Sequence, residues 1–462
     1  MLSAELARST TLVGGLGFPY DDLLAAVLSR FGDTQPLGAL DREAMRLGRA
    51  SLPRGQCAPL LATAGALLRR ARGAQSQPLA FLSATSCGPC RYALFASTYR
   101  QLLREHGGGP LWMVEQDWPR LLETFGDAAA SDLLDALLAG DALLLAQRRL
   151  RSQVQAPEQL DAAWTAAAVD VAAAIRGGLA PLVALARHAA WHDALALRPR
   201  EAQARMVLIG EPWSLHVDGD AQSQLARVLG DAGVEVEVPP LALWLAYRLW
   251  ERSQPPLRKV HAHAPCEPAT PPLTAADIGA RYARACAVLG MHEVDFPDVE
   301  QLASWAAPYL PASWRGGYGH VEVGLAARAR FEQRAHAVIS VKSFGCIPSS
   351  GVCDGIVPRV LGDDVAFLAL EVSEDAVATR ESRLVLQIAA AQARASAEAQ
   401  AACQAMGVSL PEALAGLPRR QALQPEYAVG PRRYACTLAC ELSASARRLQ
   451  ATPIDPETRT SL

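Results

Sequence analysis

The sequence predicts an α/β protein with parallel sheets, and three observations support this. Short apolar runs alternate along the chain with longer stretches of helical periodicity, which is typical of parallel strands joined by crossover helices. The run at 206–210 is apolar with no polar interruption, which indicates a strand buried on both faces. Half of the residues are apolar, enough to form large buried cores.

Seven strands and five helices follow from this pattern. The predicted strands are 11–16, 79–85, 111–115, 206–210, 234–238, 337–344 and 365–372. The predicted helices are 21–31, 59–70, 91–105, 221–232 and 376–401. Because the strands fall into an early and a late group, we expect two Rossmann-like, doubly wound lobes with a cleft between them.

The domain organisation that we expect has four parts. Residues 1–118 form the first Rossmann-like lobe, and 119–205, rich in Ala and Leu without a strand pattern, form a helical insertion. Residues 206–400 form the second α/β lobe. Whether part of this range belongs to the first lobe stays open. Residues 401–462 form a C-terminal tail that loses clear periodicity and whose polar end we expect to be partly disordered.

Charge and hydropathy limit the partners and the compartment. The chain carries 44 basic and 47 acidic side chains, so it lacks the basic excess that a nucleic-acid partner requires. Its best apolar run, 239–250, is too short to span a membrane. The first ten residues contain no apolar core of a signal peptide. We therefore expect a cytoplasmic protein, in which clustered cysteines serve metal binding or redox chemistry rather than structural bridges.

Cysteines occur at three turns where a strand ends or a helix begins. Cys87 and Cys90 lie in a CGPC segment between a predicted strand and helix, Cys346 follows the strand 337–344, and Cys57 precedes the helix 59–70. Amides at a helix N-terminus stabilise thiolates, the form that ligates metals or attacks disulfides. Ligands of open α/β sheets also bind beyond the carboxyl ends of the strands.

Several interpretations of these cysteines stay open. The CGPC segment fits a thioredoxin-like redox motif, metal ligation, or two cysteines buried side by side. If the three turns converge, three thiolates and one open position suit an iron–sulfur cluster whose free iron meets a substrate. Four thiolates suit a closed electron-transfer cluster or a structural zinc site.

Three segments occur in the order of a known set of family motifs. They are GQCAPLLATAGALL at 55–68, FLSATSCGPCRYALF at 81–95 and VISVKSFGCIPS at 338–349. The first contains Cys-x-Pro, the second Gly-Pro-Cys-Arg-aromatic, and the third Phe-Gly-Cys-apolar-Pro. These segments resemble the 2-hydroxyacyl-CoA dehydratase and benzoyl-CoA reductase superfamily, in particular its branch related to acyl-CoA dehydratase activases. The ordered likeness runs from about residue 11 to residue 390.

The resemblance implies a [4Fe-4S] or related iron–sulfur cluster held by Cys57, Cys90 and Cys346. Cys87 stands where the branch has another residue, so it is an extra cysteine: a fourth ligand, a redox partner of Cys90, or neither. Relatives of known activity receive a low-potential electron from an ATP-hydrolysing activase and deliver it to a CoA thioester for dehydration or ring reduction. A non-catalytic, cluster-carrying accessory protein is the alternative, and a thiol–disulfide oxidoreductase using Cys87 and Cys90 is a second. A homodimer or heterodimer is expected.

Four further residues are candidates for the site. Glu211, after the strand 206–210, and Glu322, before a helix, are candidate catalytic carboxylates facing the cleft. Arg91 and Arg380 lie at predicted helix starts and are candidates for binding the cofactor or a CoA phosphate, with a surface salt bridge as the alternative. The chain has no phosphate-binding P-loop, so we expect it not to hydrolyse ATP itself.

Except for Cys353, the remaining cysteines are expected to play no part in the site, and neither are the two histidines of the proline-rich stretch. His261, His263 and Cys266 have metal-like spacing but lack an evident fourth ligand, in a proline-rich stretch. Cys436 and Cys440 are four residues apart on a possible helix outside the family resemblance. Cys353 is close enough to Cys346 in sequence to be a spare ligand. Cys286 and Cys403 fit core positions.

Overall fold

Two parallel four-stranded sheets, with helices packed around them, form the fold of the computed structural model. The structure describes residues 9–73, 78–84, 90–106, 111–116, 118–217, 224–254, 273–314, 317–343, 345–372, 377–418, 422–423 and 434–451. The predicted α/β class with parallel sheets is confirmed at this level.

The first sheet has the strand order β2-β1-β3-β4. Its strands are β1 (Thr10–Val13), β2 (Thr34–Pro36), β3 (Leu79–Ala84) and β4 (Leu111–Gln116). Its helices are α1 (Tyr20–Leu28), α2 (Arg42–Ser51), α3 (Ala58–Gly73) and α4 (Phe95–His106), and a 3₁₀ turn (Arg91–Leu94) precedes α4. The edge strand β2 was not predicted, since it has three residues and ends in a proline, which is tolerated at a sheet edge.

The helices α2 and α3 cross at very short range. A Cβ at Gly48 would lie 1.9 Å from the Leu61 carbonyl oxygen, and one at Gly65 would lie 1.7 Å from the Ala44 carbonyl oxygen. Since no side chain fits there, the two glycines allow backbone-to-backbone packing. This contact fixes the start of α3, where Cys57 lies.

Three helices fill the chain between the two sheets. They are α5 (Trp118–Arg151), bent at Gly126, α6 (Pro157–Arg176) and α7 (Pro181–Arg187). Their buried faces share one apolar core with α1 and with helices of the second sheet. These helices occupy most of the stretch for which a helical insertion is predicted.

The second sheet repeats the topology of the first, with the order β6-β5-β7-β8. Its strands are β5 (Arg205–Gly210), β6 (Glu235–Glu237), β7 (Ala337–Ser343) and β8 (Ala366–Val372). Every residue of β5 and β7 is buried, as expected for central strands of a parallel sheet that is covered on both faces. Thus β3 and β7 hold corresponding places in the two sheets.

Ten helices surround or follow the second sheet in the described ranges. They are α8 (Pro212–His216), α9 (Leu225–Asp231), α10 (Leu241–Ser253), α11 (Ala275–Val288), α12 (Val299–Ala306), α13 (Gly319–Phe331), α14 (Asp354–Leu361), α15 (Val377–Met406), α16 (Leu410–Ala415) and α17 (Thr437–Ala451). The last two lie in the segment predicted as a C-terminal tail, and α17 packs on α15 in a core that also contains Cys403 and Cys436. No described helix has both the length and the apolar character needed to cross a bilayer.

All seven predicted strands are present, with ends shifted by up to three residues. The largest shift is at β1, which ends at Val13 because the glycine turn at Gly14 and Gly15 follows it. The five predicted helices are also present. Of the helix predicted at 221–232, the structure describes 225–231 as α9; residues 221–223 lie outside the described ranges.

Candidate functional site

Cys90 lies beyond the carboxyl end of β3, directly before the 3₁₀ turn that leads into α4. Its backbone is extended, with φ −69° and ψ 133°, and the residue is partly buried. Cys87, its neighbour in the CGPC segment, lies outside the described residues. The strand–turn–helix placement predicted for Cys90 is therefore present.

Cys346 lies beyond the carboxyl end of β7, the strand that corresponds to β3. The Cys346 amide donates to the Ser343 carbonyl oxygen at 3.1 Å and closes a tight turn. Gly345 in this turn has φ +74°, a left-handed conformation that favours glycine. A π-helical turn, Ser349–Cys353, follows and leads into α14.

Cys57 lies at the start of α3, and its carbonyl oxygen accepts from the Leu61 amide at 3.2 Å. The residue is 8 % exposed. Unlike the other two cysteines, it follows a helix and a loop rather than a strand. The structure thus places all three cysteines predicted as ligands at the starts of helical segments.

Arg91 joins the loops of the three cysteines. Its guanidinium donates to the Gly55 carbonyl oxygen at 2.8 Å and to the Gly345 carbonyl oxygen at 3.0 Å. Gly55 precedes Cys57 by two residues, Gly345 precedes Cys346, and Arg91 itself follows Cys90. Two donors on a planar guanidinium hold two backbones at a fixed separation. The role predicted for Arg91 was phosphate or sulfide binding, whereas its described contacts are backbone carbonyls.

At each of the three cysteines, a backbone N–H of the following helical segment favours the thiolate and opposes the rise in the pKa of the thiol. The donors are Leu60 for Cys57, Tyr92 for Cys90 and Ser349 for Cys346. Such amide donors stabilise a sulfur that carries negative charge, as a metal-bound thiolate does. The same arrangement, a cysteine sulfur facing a backbone N–H of the next helical segment, therefore recurs at three turns that are distant in sequence.

Without a metal, burial keeps these thiols protonated. Burial raises the pKa of Cys57 to about 11 and that of Cys346 to about 12, and it raises the pKa of Cys90 as well. The nearby Glu211 carboxylate adds to the shift at all three cysteines. Cys90 is also close enough to interact electrostatically with both Cys57 and Cys346.

Glu211 follows β5 and is the N-cap residue of α8, so its carboxylate stabilises the start of that helix. Its carboxylate accepts from the Trp213 amide at 2.8 Å, from the Ser214 amide at 3.1 Å and from the Ser214 hydroxyl at 2.7 Å. The Ser343 hydroxyl, at the end of β7, lies 3.4 Å from the same carboxylate. Burial raises the pKa of Glu211. The residue thus lies near the cysteine turns, with its oxygens already hydrogen-bonded.

Glu322 lies in the first turn of α13 and is 1 % exposed. Its Oε1 accepts from the Ser340 hydroxyl at 2.8 Å and from the Ser349 hydroxyl at 3.0 Å. Burial raises its pKa, and the hydrogen bonds from both serines oppose that shift. Because the Ser349 amide also favours the Cys346 thiolate, the hydrogen bond from the Ser349 hydroxyl to Glu322 anchors the Cys346 turn on α13.

Lys342 is a buried cation next to this turn that sequence reasoning did not single out. The side chain is 1 % exposed and pairs with Asp354, and burial lowers its pKa. It is one of two lysines in the chain, and all the other residues of the Lys and Arg set are arginines. A lysine in a largely apolar strand, in a chain whose cations are nearly all arginine, is the sequence feature that points to this residue.

Tyr318 is the second residue that sequence reasoning missed. Its hydroxyl lies 3.0 Å from Cys346 Sγ, and the residue is 6 % exposed. Nothing in the local sequence indicates that its hydroxyl reaches a cysteine 28 positions later.

The other predicted residues are not brought to the site by the described structure. Arg380 lies in α15, and its side chain is outside the description, as are His261, His263 and Cys266. Cys286, Cys353, Cys403, Cys436 and Cys440 are buried and free of disulfide bonds. Of these, Cys353 lies nearest to the site, with its thiol facing the Glu322 carboxyl group.

Cys57, Cys90 and Cys346 are the residues that would hold the iron–sulfur cluster that the resemblance implies. In the described part of the chain, no three His, Cys, Asp or Glu side chains are grouped to hold one metal ion. One ion needs all its sulfur ligands at about 2.3 Å from a single point. In a four-iron cluster each cysteine binds a different iron, so the sulfurs stand farther apart. Cys90 interacts electrostatically with both Cys57 and Cys346, so the three residues have the donor chemistry that a cluster needs, whereas the described residues offer no mononuclear site.

Comparison with known proteins gives no family for this chain. No protein-family model matches it, and no curated protein matches it. The likeness to the dehydratase and reductase superfamily therefore rests on the order of its motifs alone.

Proposed function

We propose that this protein is an iron–sulfur protein of the 2-hydroxyacyl-CoA dehydratase and benzoyl-CoA reductase type. It receives low-potential electrons from a separate ATP-hydrolysing activase and passes them to a CoA thioester or a similar substrate. In this proposal the two sheets are the cores of two Rossmann-like lobes, and the cysteine turns face the cleft between them.

One observation carries the proposal: Arg91 bonds the backbones of the Cys57 and Cys346 turns while it directly follows Cys90. Three cysteines widely separated in sequence are thereby held by a single side chain. Coincidental core cysteines require no such link. The amide donor at each sulfur supports the same conclusion.

In the cluster-bound protein, Cys57, Cys90 and Cys346 are the ligands, and Cys87 is the candidate for a fourth. The cluster supplies one-electron chemistry and a Lewis-acidic iron, which no side chain provides. The protein fixes the three turns through Arg91 and encloses the sulfurs in a largely buried environment. Glu211 places a carboxylate beside all three sulfurs, and such charge favours the oxidised, less negative state of the site.

A thiol–disulfide oxidoreductase is less well supported. The attacking cysteine of such enzymes has a lowered pKa, which makes it a thiolate at neutral pH. In a CGPC segment that cysteine is the first one, here Cys87, whereas Arg91 links Cys90 to the Cys57 and Cys346 turns, which a dithiol enzyme would leave without a role. The accessory-protein alternative shares the same cluster and differs only in the absence of turnover.

Anaerobic purification tests the cluster. We expect about four iron and four sulfide per chain, as a [4Fe-4S] cluster requires, and a brown protein whose colour is lost in Cys346→Ser. Cys403→Ser is the matched control, because Cys403 is a buried cysteine in a different core. A colourless protein that reduces insulin disulfides through Cys90 would overturn the proposal.

Turnover separates the enzyme from the accessory protein. The cluster-loaded protein is mixed with an ATP-dependent activase, ATP and a set of 2-hydroxyacyl-CoA and aromatic acyl-CoA thioesters, and products are followed by mass spectrometry. Product formation that needs both the activase and Cys346 supports the enzyme. Electron acceptance without product supports the accessory protein.

A further inference from the structure

The Tyr318 hydroxyl points at a single sulfur. Its oxygen lies 3.0 Å from Cys346 Sγ, and among the described residues this is its one hydrogen-bond partner. A buried phenol that leaves its hydroxyl unpaired loses free energy. The Cys346 sulfur is therefore the group that satisfies the hydroxyl.

The position of Tyr318 is fixed by close packing against the Cys346 turn. Gly317, just before it, has φ +72°, and a Cβ there would lie 2.6 Å from Pro348 Cγ. On the other side, the Tyr318 carbonyl oxygen accepts from the Glu322 amide at 3.1 Å in the first turn of α13. The hydroxyl is thus held toward the sulfur by a turn that admits only glycine and by a helix start.

The chemistry of the sulfur decides the direction of this hydrogen bond. A free thiol is a weak donor and a weak acceptor, so it pairs poorly with a phenol. A metal-bound cysteine has no proton and carries negative charge, so the phenol must donate, and the bond is charge-assisted. Hydrogen bonds to cluster sulfurs are among the factors that set the reduction potential.

We propose that Tyr318 is a positioning residue that donates a hydrogen bond to the Cys346 sulfur and raises the reduction potential of the cluster. This inference rests on the proposed function, since it needs a cluster at Cys346. Reduction adds an electron to the cluster and its sulfurs, so a donor aimed at one sulfur stabilises the reduced state more than the oxidised state. Tyr318 thereby partly offsets the opposite influence of the Glu211 carboxylate.

The test is Tyr318→Phe, which keeps the ring and removes only the hydroxyl. Wild type and variant are purified anaerobically, iron and sulfide are measured, and the midpoint potential is determined by redox titration followed by electron paramagnetic resonance. We expect full iron content and a reduced-to-oxidised ratio up to about tenfold lower at a given potential, equivalent to a shift of up to about 59 mV to more negative values.

Tyr282→Phe is the matched control. Tyr282 is also a buried tyrosine hydrogen-bonded to a cysteine, Cys286, but it lies in α11 away from the three turns. We expect its potential to equal that of wild type. Should Tyr318→Phe fail to fold, 3-fluorotyrosine at position 318 replaces it: the more acidic phenol is a stronger donor, and the potential should shift to more positive values.

The outcomes separate this inference from the proposed function. Wild-type protein without iron and sulfide would overturn both. Iron-loaded wild type and Tyr318→Phe with equal potentials would overturn the role of Tyr318 and leave the cluster in place. A shift common to Tyr318→Phe and Tyr282→Phe would also overturn it, because general loosening of the core would then explain the change.

Discussion

The guanidinium of Arg91 donates to the carbonyl oxygen of Gly345 at 3.0 Å, across 254 positions of the chain. The same guanidinium reaches Gly55, so one residue determines how three turns are spaced. Neither contact is an ion pair, and both depend on the planar, forked shape of the arginine head group.

Arg91→Lys keeps the positive charge and removes the fork, so one of the two carbonyl contacts should be lost. We expect unfolding free energy to fall by about 1–3 kcal/mol, since each bond from a charged donor contributes in that range. Urea denaturation measures this loss. Cluster content should fall in parallel, whereas Arg72→Lys, on the exposed last turn of α3, should change neither quantity.

Asp354→Asn should remove the carboxylate paired with the buried Lys342 ammonium, leaving Glu322 and Glu371 as the acidic groups that still stabilise its charge. Because those groups remain, we expect a loss below the roughly 3–5 kcal/mol of a buried charge left with no partner. The double variant Lys342→Met, Asp354→Asn removes both charges and should recover at least half of that loss. A double variant as unstable as Asp354→Asn alone would contradict the role of the pair, as measured by thermal or chemical unfolding.

Gly48→Ala and Gly65→Ala should each force α2 and α3 apart, because the new methyl group would occupy the position of a backbone carbonyl. We expect a loss of about 3 kcal/mol or more, at the high end for overpacking. Gly73→Ala, at the end of the same helix α3, has open space for its methyl group and should be neutral or stabilising by up to about 1 kcal/mol. Equal stability of all three variants would contradict the close crossing.

Asp21 should make stability depend on pH. Its buried carboxyl group accepts amides from Gly15, Leu16 and Gly17, yet burial raises its pKa from 3.8 to about 7. Because the folded state binds this proton more tightly than the unfolded state, the contribution of Asp21 is fully present below pH 4 and is lost as pH rises through 7.

The difference in unfolding free energy between wild type and Asp21→Asn should therefore fall by roughly 4 kcal/mol from pH 4 to pH 8. Denaturant titrations at several pH values measure it. A difference that stays constant with pH would refute the shifted pKa of Asp21.

The strands could be predicted because burial on both faces leaves a direct trace in the sequence. In β7 all seven residues are buried, and the apolar ones, Ala337–Ile339 and Val341, are enough to mark the strand in the sequence. The helices α11 to α14 were not predicted: their apolar faces are interrupted, as in α13, where Glu322 and Arg328 are buried by specific partners. Such pairing is a property of the tertiary structure rather than of local periodicity.

The candidate site was only partly predictable for the same reason. The positions of Cys57, Cys90 and Cys346 at turns follow from neighbouring residues. The contacts from Arg91 to Gly345 and from Tyr318 to Cys346 join separate elements, and no spacing rule indicates them. The conformation of each turn depends on residues that are neighbours in sequence, whereas the distances between the turns depend on tertiary packing.

Cys90 and Cys346 follow β3 and β7, which hold equivalent places in separate sheets. The distance between their sulfurs is consequently a measure of how one sheet is placed against the other. Any ligand that both sulfurs share acts as a cross-link between distant parts of the chain, and its binding energy adds to the stability of the whole tertiary structure. Loss of that ligand would register as a lower unfolding temperature of the entire protein.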